Sequence, residues 1–240
     1  MKLFFVRHGQ SENNALWTNT RSNLNRVSDP QLTEGGRKQV EATADYLYSL
    51  LKKDSSKAND QSFKYEGEEI RIYCSLMDRA IQSGLIISQK LSLPLKAHVD
   101  IHENGGLYSE DPLTSERTGV PGRNPIDLQT TYPDLILPEG INLEGWWNRP
   151  FEDRETRRIR AKRVLNEFKD HYRNSNVILI VITHGGFYNY LLHAAFEMRD
   201  DTDVWFDLFN AAITLVEISE DFINLIYCNR FDFIPKEIVT

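Results

Sequence analysis

Three short, mostly apolar runs in this chain of 240 residues lead directly into polar residues. The runs span residues 3–6, 70–74 and 177–182, and the polar residues that follow them are Arg7-His8-Gly9, Ser75, and Thr183-His184. Runs of this length and composition are typical of strands that are buried on both faces of a parallel sheet. The chain is therefore restricted to folds in which several buried strands each deliver a polar loop.

Helical patterns alternate with these strands along the chain. The first helix is indicated by apolar residues at three-and-four spacing after a Thr33 N-cap, and these residues are Val40, Ala44, Leu47 and Leu51. Similar patterns start at Asp78 and after Gly185-Gly186. Residues 214–218 and 222–227 flank a turn-like segment and predict a closing hairpin.

This alternation predicts an α/β fold, a three-layer sandwich with a mostly parallel central sheet and helices on both faces. Ligands of such sheets bind at the carboxyl ends of the strands, where all three polar loops would meet. We expect residues 1–240 to form a single domain. The stretch at about 105–150 is rich in glycine and proline and predicts an insertion that covers this edge, and 53–68 predicts a polar connection.

The charge balance narrows the range of partners. The formal net charge of -7 leaves no basic excess for a nucleic-acid backbone, so no nucleic-acid partner is expected. No run reaches the ~18 apolar residues of a membrane span, and the first residues do not form a secretory signal. Cys74 and Cys228 predict reduced core cysteines and a cytoplasmic location. The sequence gives no signal for an oligomeric state.

Charged residues at the ends of the strands suggest phosphate chemistry. A phosphomonoester carries about two negative charges at neutral pH, and arginines such as Arg7 and Arg79 bind its oxygens with paired hydrogen bonds. A histidine beside them, His8, stays neutral and keeps a lone pair for attack on phosphorus. Glu103 can give a proton to the leaving alkoxide and accept one from water. His184 belongs to the same edge of the sheet.

These segments resemble the histidine phosphatase superfamily, the phosphoglycerate-mutase-like proteins. The similarity extends over nearly the whole chain, in the order of the family's motifs. The segments that carry it are Arg7-His8-Gly9-Gln10-Ser11-Glu12-Asn13-Asn14, residues 29–39, residues 75–82, Glu103 with Gly105-Gly106, and Thr183-His184-Gly185-Gly186. By this resemblance the fold is phosphoglycerate-mutase-like and the substrate is a small phosphorylated metabolite.

The resemblance also implies roles for individual residues. His8 would form a phosphohistidine, and Glu103 would be the proton donor and acceptor. The phosphoryl oxygens would be held by Arg7, Arg79 and His184. Asn14 would be a further phosphate contact, and Gly185 would offer a backbone N–H at a helix N-terminus. No metal and no cofactor are implied, because the arginines and histidines supply the positive charge and the donors.

Departures from the family pattern bear on the reaction. Leu76 stands where the family usually has proline, and Gln10 where many mutases have glutamate. Mutases also carry a lysine and paired arginines beyond the acid motif, whereas Arg117 and Arg123 are separated here and no lysine lies between Glu103 and Arg149. This favours a phosphatase over a 2,3-bisphosphoglycerate-dependent phosphoglycerate mutase. A non-catalytic module that binds phosphorylated ligands is a third alternative, which the presence of an acid disfavours.

Other segments have weaker predictions attached to them. Trp146 and Trp147 predict packing of the insertion on the core, with Arg149 as an outer contact of the substrate. The charged residues 154–163 predict a solvated helix face. His102 is expected to point away from the site, since neighbouring residues of an extended segment face opposite sides. The segment of Asn210 fits either a simple turn or a support for the second histidine loop.

Overall fold

The computed structural model of the protein describes residues 1–51, 68–172, 175–199 and 201–240. In this part of the chain the strands are β1 (Lys2–Arg7), β2 (Glu69–Ser75), β3 (Leu95–His98), β4 (Tyr108–Glu110), β5 (Arg117–Gly119), β6 (Leu135–Ile136), β7 (Val177–Thr183), β8 (Ile213–Ile218) and β9 (Ile223–Arg230). The helices are α1 (Glu12–Thr20), α2 (Glu34–Leu51), α3 (Asp78–Leu91), α4 (Pro125–Thr131), α5 (Arg154–Tyr172) and α6 (Gly185–Ala195), with short 3₁₀ turns at Val99–Ile101 and Lys236–Ile238.

Seven of these strands form one sheet in the order β6-β3-β2-β7-β1-β8-β9. The strands from β6 to β1 run parallel to one another, and β8 and β9 form an antiparallel hairpin at the edge beyond β1. In the centre of the sheet Val6 of β1 lies opposite Ile182 of β7, and Arg7 lies opposite Thr183. The polar residues after β1 and β7 are therefore neighbours at one edge.

Helices cover both faces of this sheet, because successive residues of a buried strand point to opposite sides. In β1, Phe4 and Val6 pack in the core that includes the buried residues of α2 and α3. Leu3 and Phe5 pack in the second core, which includes the buried residues of α5 and α6. The predicted three-layer, mostly parallel α/β fold is confirmed, and so is the hairpin of β8 and β9.

The Thr33 cap of α2 is also present, because Thr33 Oγ1 accepts the Gly36 N–H at 2.9 Å. The sequence patterns do not predict helix α1. None of its residues is buried, so the spacing of its apolar residues does not mark a helix. What starts α1 is a capping box, in which the side chains of Ser11 and Asn14 bond to each other's backbone N–H groups. This helix presents Asn14 to the edge of the sheet.

Residues 105–150 contain more regular structure than their composition suggests. They form the β4–β5 hairpin and α4, and the two-residue strand β6 extends the main sheet. Trp146 and Trp147 are 2% and 3% exposed, which confirms their predicted packing. Trp147 lies against Gly106, where a Cβ would approach the indole to 1.9 Å and where φ is +72°, so a glycine is required there.

The cysteine prediction is half right. Both cysteines are free, and Cys74 is buried as predicted. Cys228 is exposed and lies on the edge strand β9, where its Sγ is 3.2 Å from the Tyr188 hydroxyl. Among the helices of the described residues, none is long and apolar enough to cross a membrane. The connection predicted at 53–68 lies outside the described residues, apart from Glu68.

Candidate active site

The polar loops that follow β1 and β7 are joined directly. His8 N–H donates to the carbonyl oxygen of Thr183 at 3.0 Å, and the rings of His8 and His184 have their centroids 5.0 Å apart. A cavity of about 200 Å³ opens at this edge of the sheet. The residues in its wall that the sequence singled out are Arg7, His8, Asn14, Arg79 and Glu103. Together with Thr183 and His184, these residues come from four separate segments of the chain: the end of β1 through the start of α1, the start of α3, the segment of Glu103, and the end of β7 with the residue after it.

The hydrogen bonds of His8 fix which ring nitrogen carries its proton. Nδ1 lies 2.7 Å from the Gly9 carbonyl oxygen, which can only accept a hydrogen bond, so Nδ1 bears the hydrogen. Nε2 receives the Nε–H of Arg79 at 3.2 Å, so this nitrogen keeps its lone pair. Burial, followed by the charges of Arg79 and Arg7, holds the pKa of His8 well below its usual value. His8 is therefore neutral, and Nε2 is the ring nitrogen that carries no hydrogen.

Arg7 and Arg79 bring positive charge to the cavity. Burial lowers the pKa of both guanidinium groups from the usual arginine value, and Glu103 opposes this change at each of them. Arg7 donates through Nη1 to the Leu208 carbonyl oxygen, but its buried Nε has no partner among the described residues. A buried, unpaired donor on a cation is costly unless an anion binds it. This donor indicates an anion site.

His184 lies beside His8, but it is fully buried and does not form part of the cavity lining. Neither of its ring nitrogens has a hydrogen-bond partner among the described residues. Burial, with Arg79 as the next contributor, lowers the pKa of His184 well below the usual histidine value. His184 is therefore a neutral ring with an unused donor and an unused acceptor next to His8.

Glu103 is held by the N-terminus of α6. Its Oε1 accepts the N–H groups of Asn104 at 2.7 Å and Phe187 at 3.0 Å, and its Oε2 lies 3.3 Å from the N–H of Gly186. A helix N-terminus is a favourable place for a carboxylate. Glu103 thus takes the two amides after Gly185. Gly185 remains the candidate phosphate donor of this helix, with its Cβ position 3.7 Å from Nε of Arg7.

We expect Gly186→Ala to lower the rate of phosphate-ester hydrolysis substantially. A Cβ at this position would lie 2.3 Å from Oε1 of Glu103 and 2.4 Å from Nδ2 of Asn104, so the carboxylate must move. Misplacement of a catalytic group by about 1 Å typically costs on the order of 10²-fold in rate. Steady-state kinetics with a fixed substrate measure this loss, and circular dichroism checks the fold.

Gly35→Ala is the matched control for this variant. Gly35 occupies the same second position of α2 that Gly186 occupies in α6, and the nearest atoms to its Cβ position are 3.7 Å away. We expect this control to keep near-normal kinetics. Equal losses in the two variants would show that the rate depends on helix-start glycines in general rather than on the position of Glu103.

Asn210 connects two of the candidate residues, a contact that sequence reasoning left open. Its Nδ2 lies 3.1 Å from the His8 carbonyl oxygen and 3.2 Å from Oδ1 of Asn14. The neighbouring Ala211, which has a φ of +60°, donates its N–H to the same His8 carbonyl. This segment therefore supports the first histidine loop. Asn14 is oriented by Ser11 and Asn210, and it lines the cavity.

Asp29 was not identified from the sequence as a site residue, although it opens a segment that carries the resemblance. Its Oδ1 accepts the Asp78 N–H at 3.0 Å and lies 3.7 Å from Nη1 of Arg79. Burial and the nearby Asp78 raise the pKa of Asp29 to about 7, against the effect of Arg79. Asp29 thus backs the arginine that contacts His8. No local pattern marks such a contact, which depends on the approach of α3.

Arg160 corrects the prediction that residues 154–163 form a solvated helix face. Its side chain is 2% exposed and forms two hydrogen bonds of 2.7 Å with the Glu152 carboxylate. Through Nη1 it also donates to the carbonyls of Asp100 and His102, just before Glu103. Arg160 is therefore a buried cation of this charged stretch, and its hydrogen bonds hold the segment that leads to Glu103.

His102 packs away from the cavity, as expected. Its ring lies 4.5 Å from that of Trp147, and Nδ1 lies 2.8 Å from the Glu103 carbonyl oxygen. Burial, with Arg160 as the next contributor, lowers the pKa of His102 well below the usual value. His102 therefore joins the insertion to the segment of Glu103 and has no contact with the cavity wall.

Comparison with solved structures supports this arrangement at the level of the fold. The chain is similar to YhfR of Bacillus stearothermophilus (16% identity, 98% of this chain and 99% of that chain, TM-score 0.57). It is similar to a mycobacterial glucosyl-3-phosphoglycerate phosphatase (16%, 95% and 98%, TM-score 0.57). It is also similar to a phosphoserine phosphatase of Entamoeba histolytica in complex with 3-phosphoglyceric acid (18%, 98% and 99%, TM-score 0.57).

Sequence comparison identifies the family directly. No curated protein matches the chain. The model of the histidine phosphatase superfamily (branch 1) matches residues 3–230, which include every candidate residue named above and, apart from Lys2 of β1, all strands of the main sheet. The chain therefore belongs to the histidine phosphatase superfamily (branch 1), and it is an enzyme of the phosphatase type.

Proposed function

We propose that the protein hydrolyses phosphomonoesters of small metabolites through a phosphohistidine at His8. The observation that carries this proposal is the state of His8. Its Nε2 keeps a lone pair, is oriented by Arg79, and belongs to a side chain in the wall of a cavity shared with Arg7 and Glu103. A neutral, oriented histidine between two guanidinium groups suits attack on a phosphorus atom.

The reaction takes two steps in this geometry. The first step starts with Glu103 in its protonated form: Nε2 of His8 forms a bond to phosphorus, the bond to the ester oxygen breaks, and the leaving oxygen takes the proton of Glu103, which becomes a carboxylate. In the second, Glu103 accepts a proton from water, the water oxygen bonds to phosphorus, and the bond to His8 breaks. The products are an alcohol and inorganic phosphate, and both residues return to their starting states.

We propose that the phosphoryl oxygens bind donors that are otherwise unused, one in the cavity wall and one on His184, which is buried next to His8 and does not itself line the cavity. The buried Nε of Arg7 lacks a partner among the described residues, and so does the ring N–H of His184. Asn14 and the Gly185 N–H are the further contacts that we propose. This charge distribution suits a dianion and disfavours a metal ion, which would face two guanidinium groups. Within the described residues, no group of three or more His, Cys, Asp or Glu side chains could hold a metal.

The arginines of residues 105–150 argue against a mutase. Arg117 pairs with Glu110 at 2.9 Å, Arg123 forms a two-pronged pair with Asp78, and Arg149 lies 3.4 Å from Asp100. None of the three lines the cavity of His8. A mutase needs a second phosphate grip there, so hydrolysis is the better proposal. A mere binding module is disfavoured because it has no use for Glu103 in the cavity wall.

The remaining expectations belong to this proposal. We propose one domain over residues 1–240, in which 105–150 cover the site, because Tyr108 of that stretch packs against Arg26 in the cavity wall. The solved structures with this fold include a complex with phosphoserine and a complex with 3-phosphoglyceric acid. Small phosphorylated metabolites are therefore the substrates to test first, and a cytoplasmic location fits them.

The test is a phosphate-release screen combined with a mutase assay. We expect the purified protein to release phosphate from p-nitrophenyl phosphate and from a subset of sugar phosphates, phosphoglycerates and phosphoamino acids. Interconversion of 3- and 2-phosphoglycerate should stay at background, with or without 2,3-bisphosphoglycerate. Interconversion that is faster than phosphate release would reverse the assignment in favour of a mutase. Binding of the esters without turnover would favour the binding module.

A further inference from the structure

The cavity of His8 lies next to a larger cleft, with which it shares two wall residues. The cavity has a volume of about 200 Å³, which is small for a whole ligand, whereas typical ligand pockets occupy about 300–1,000 Å³. A second cleft of about 540 Å³ lies between residues 22–28 and the segment of the β4–β5 hairpin. Asn23 and Arg26 belong to the walls of both spaces. The leaving group of a bound ester therefore passes these two residues.

Arg26 is a cation without a carboxylate partner. Its guanidinium lies 4.7 Å from the centre of the Tyr108 ring, an arrangement that holds it in place. Arg26 is exposed, and within the described ranges of the chain no ion pair with a carboxylate is found for it. Arg117 and Arg123, by contrast, have carboxylate partners. Arg26 is thus available to a ligand. Its positive charge also repels that of Arg79 and contributes to the lowered pKa of Arg79, after burial.

The rest of the cleft has both polar and apolar lining, and its own acids are engaged. Hydroxyl and amide side chains line it, among them Ser22, Asn25, Ser28 and Ser109. Glu110 is paired with Arg117, and Asp111 accepts the N–H groups of Leu113 and Thr114. These acids leave little room for a second phosphate dianion, because like charges in the same cleft repel each other. A single negative charge beside Arg26, on a hydroxyl-bearing body, suits the lining better.

We propose that Arg26 determines specificity by binding a carboxylate of the leaving group. This inference rests on the proposed function and names its substrate class: phosphate esters of hydroxy acids, including hydroxy amino acids. Arg7 and Arg79 face the phosphoryl group, while Arg26 lies where the cavity opens into the cleft. When the leaving group of the ester is neutral, the guanidinium of Arg26 has no charged partner and stays hydrated. A carboxylate a few bonds from the ester oxygen gives it a charge-assisted partner.

Two substrate pairs that differ at this carboxylate provide the test. The pairs are O-phospho-L-serine with O-phosphoethanolamine, and 3-phosphoglycerate with glycerol 3-phosphate. We expect the native protein to prefer the acid of each pair in kcat/KM by about tenfold to a hundredfold, the range for a hydrogen bond to a charged group. Arg26→Gln should abolish most of this preference, and Arg26→Lys should keep part of it. Because Arg26 also lies in the wall of the His8 cavity, turnover of p-nitrophenyl phosphate, which has no carboxylate, should fall by a clearly smaller factor than turnover of the two acids.

Arg149→Gln is the control, because Arg149 is, like Arg26, an exposed arginine, but it lies outside both cavities. It should leave the preference intact. The inference is overturned if the native protein shows no preference for the acids, if Arg26→Gln keeps the preference, or if Arg26→Gln lowers turnover of p-nitrophenyl phosphate equally. Failure of the proposed function has a different signature, since then no ester, p-nitrophenyl phosphate included, is hydrolysed in a His8-dependent manner.

Discussion

Replacing His8 with alanine is expected to abolish phosphate-ester hydrolysis, with a fall in kcat of about 10⁴-fold or more, as is typical when a nucleophile is removed. Nε2 of His8 is the atom that would bond to phosphorus, and alanine offers no substitute. Release of p-nitrophenol from p-nitrophenyl phosphate measures the loss. Labelling with a radioactive phosphate ester, followed by alkaline quenching, should detect phosphohistidine in the native protein and none in His8→Ala.

His171→Ala is the matched control, because His171 is an exposed histidine of α5 that does not line the cavity and contacts the Glu167 carbonyl of its own helix. It should retain full activity and the full label. The low pKa of His8 adds a further expectation for this experiment: as the pH falls, the ring stays neutral to a lower pH than an ordinary histidine does, so protonation of His8 should not cause a loss of activity at the usual histidine pKa. Near-normal turnover by His8→Ala would remove the central assignment.

Glu103→Gln is expected to have the second-largest effect. The amide keeps an oxygen for the N–H groups that hold Glu103, but it neither gives nor takes a proton, a loss that typically costs about 10²–10⁴-fold in rate. The effect should depend on the leaving group. An alkyl phosphate, whose alkoxide needs a proton, should lose turnover at the first step. p-Nitrophenyl phosphate, whose phenolate leaves unaided, should instead lose turnover at the second step.

This difference gives a specific signature in pre-steady-state kinetics. With p-nitrophenyl phosphate, Glu103→Gln should show a burst of p-nitrophenol that matches the enzyme concentration, followed by slow turnover and accumulation of phosphohistidine. The double variant with His8→Ala should show neither. Equal rate losses for both kinds of substrate, without any burst, would assign the proton transfer to another group and leave Glu103 as a support for the loop.

The central strands and the loops after them could be predicted because they are encoded locally. Residues 3–6 and 177–182 are too apolar to face water, and His8 and His184 follow them immediately. Parallel pairing then brings the two loops together without further information, as the pairing of Val6 with Ile182 shows. The same reasoning placed Arg79, which lies in the first turn of α3.

The supporting residues could not be predicted, because their partners lie far away in the sequence. Asp29 has meaning only beside Arg79, Asn210 only beside His8, and Arg160 only beside the carbonyl oxygens of Asp100 and His102. Asp29 and Arg160 are polar residues in polar segments, which by themselves indicate a loop and a solvated helix, and Asn210 is a single polar residue in an apolar stretch, which indicates a turn. Their roles depend on how elements pack, and packing leaves no periodic pattern in such segments.

The central position of β1, between β7 and β8, also determines when the site can assemble. The His8 loop belongs to the start of the chain, yet its neighbours across the sheet are synthesised only after most of the other elements. Contacts of such high sequence separation form late and slowly during folding. Recovery of activity during refolding would therefore report completion of the whole sheet, and no intermediate that lacks the pairing of β1 with β7 could turn over substrate.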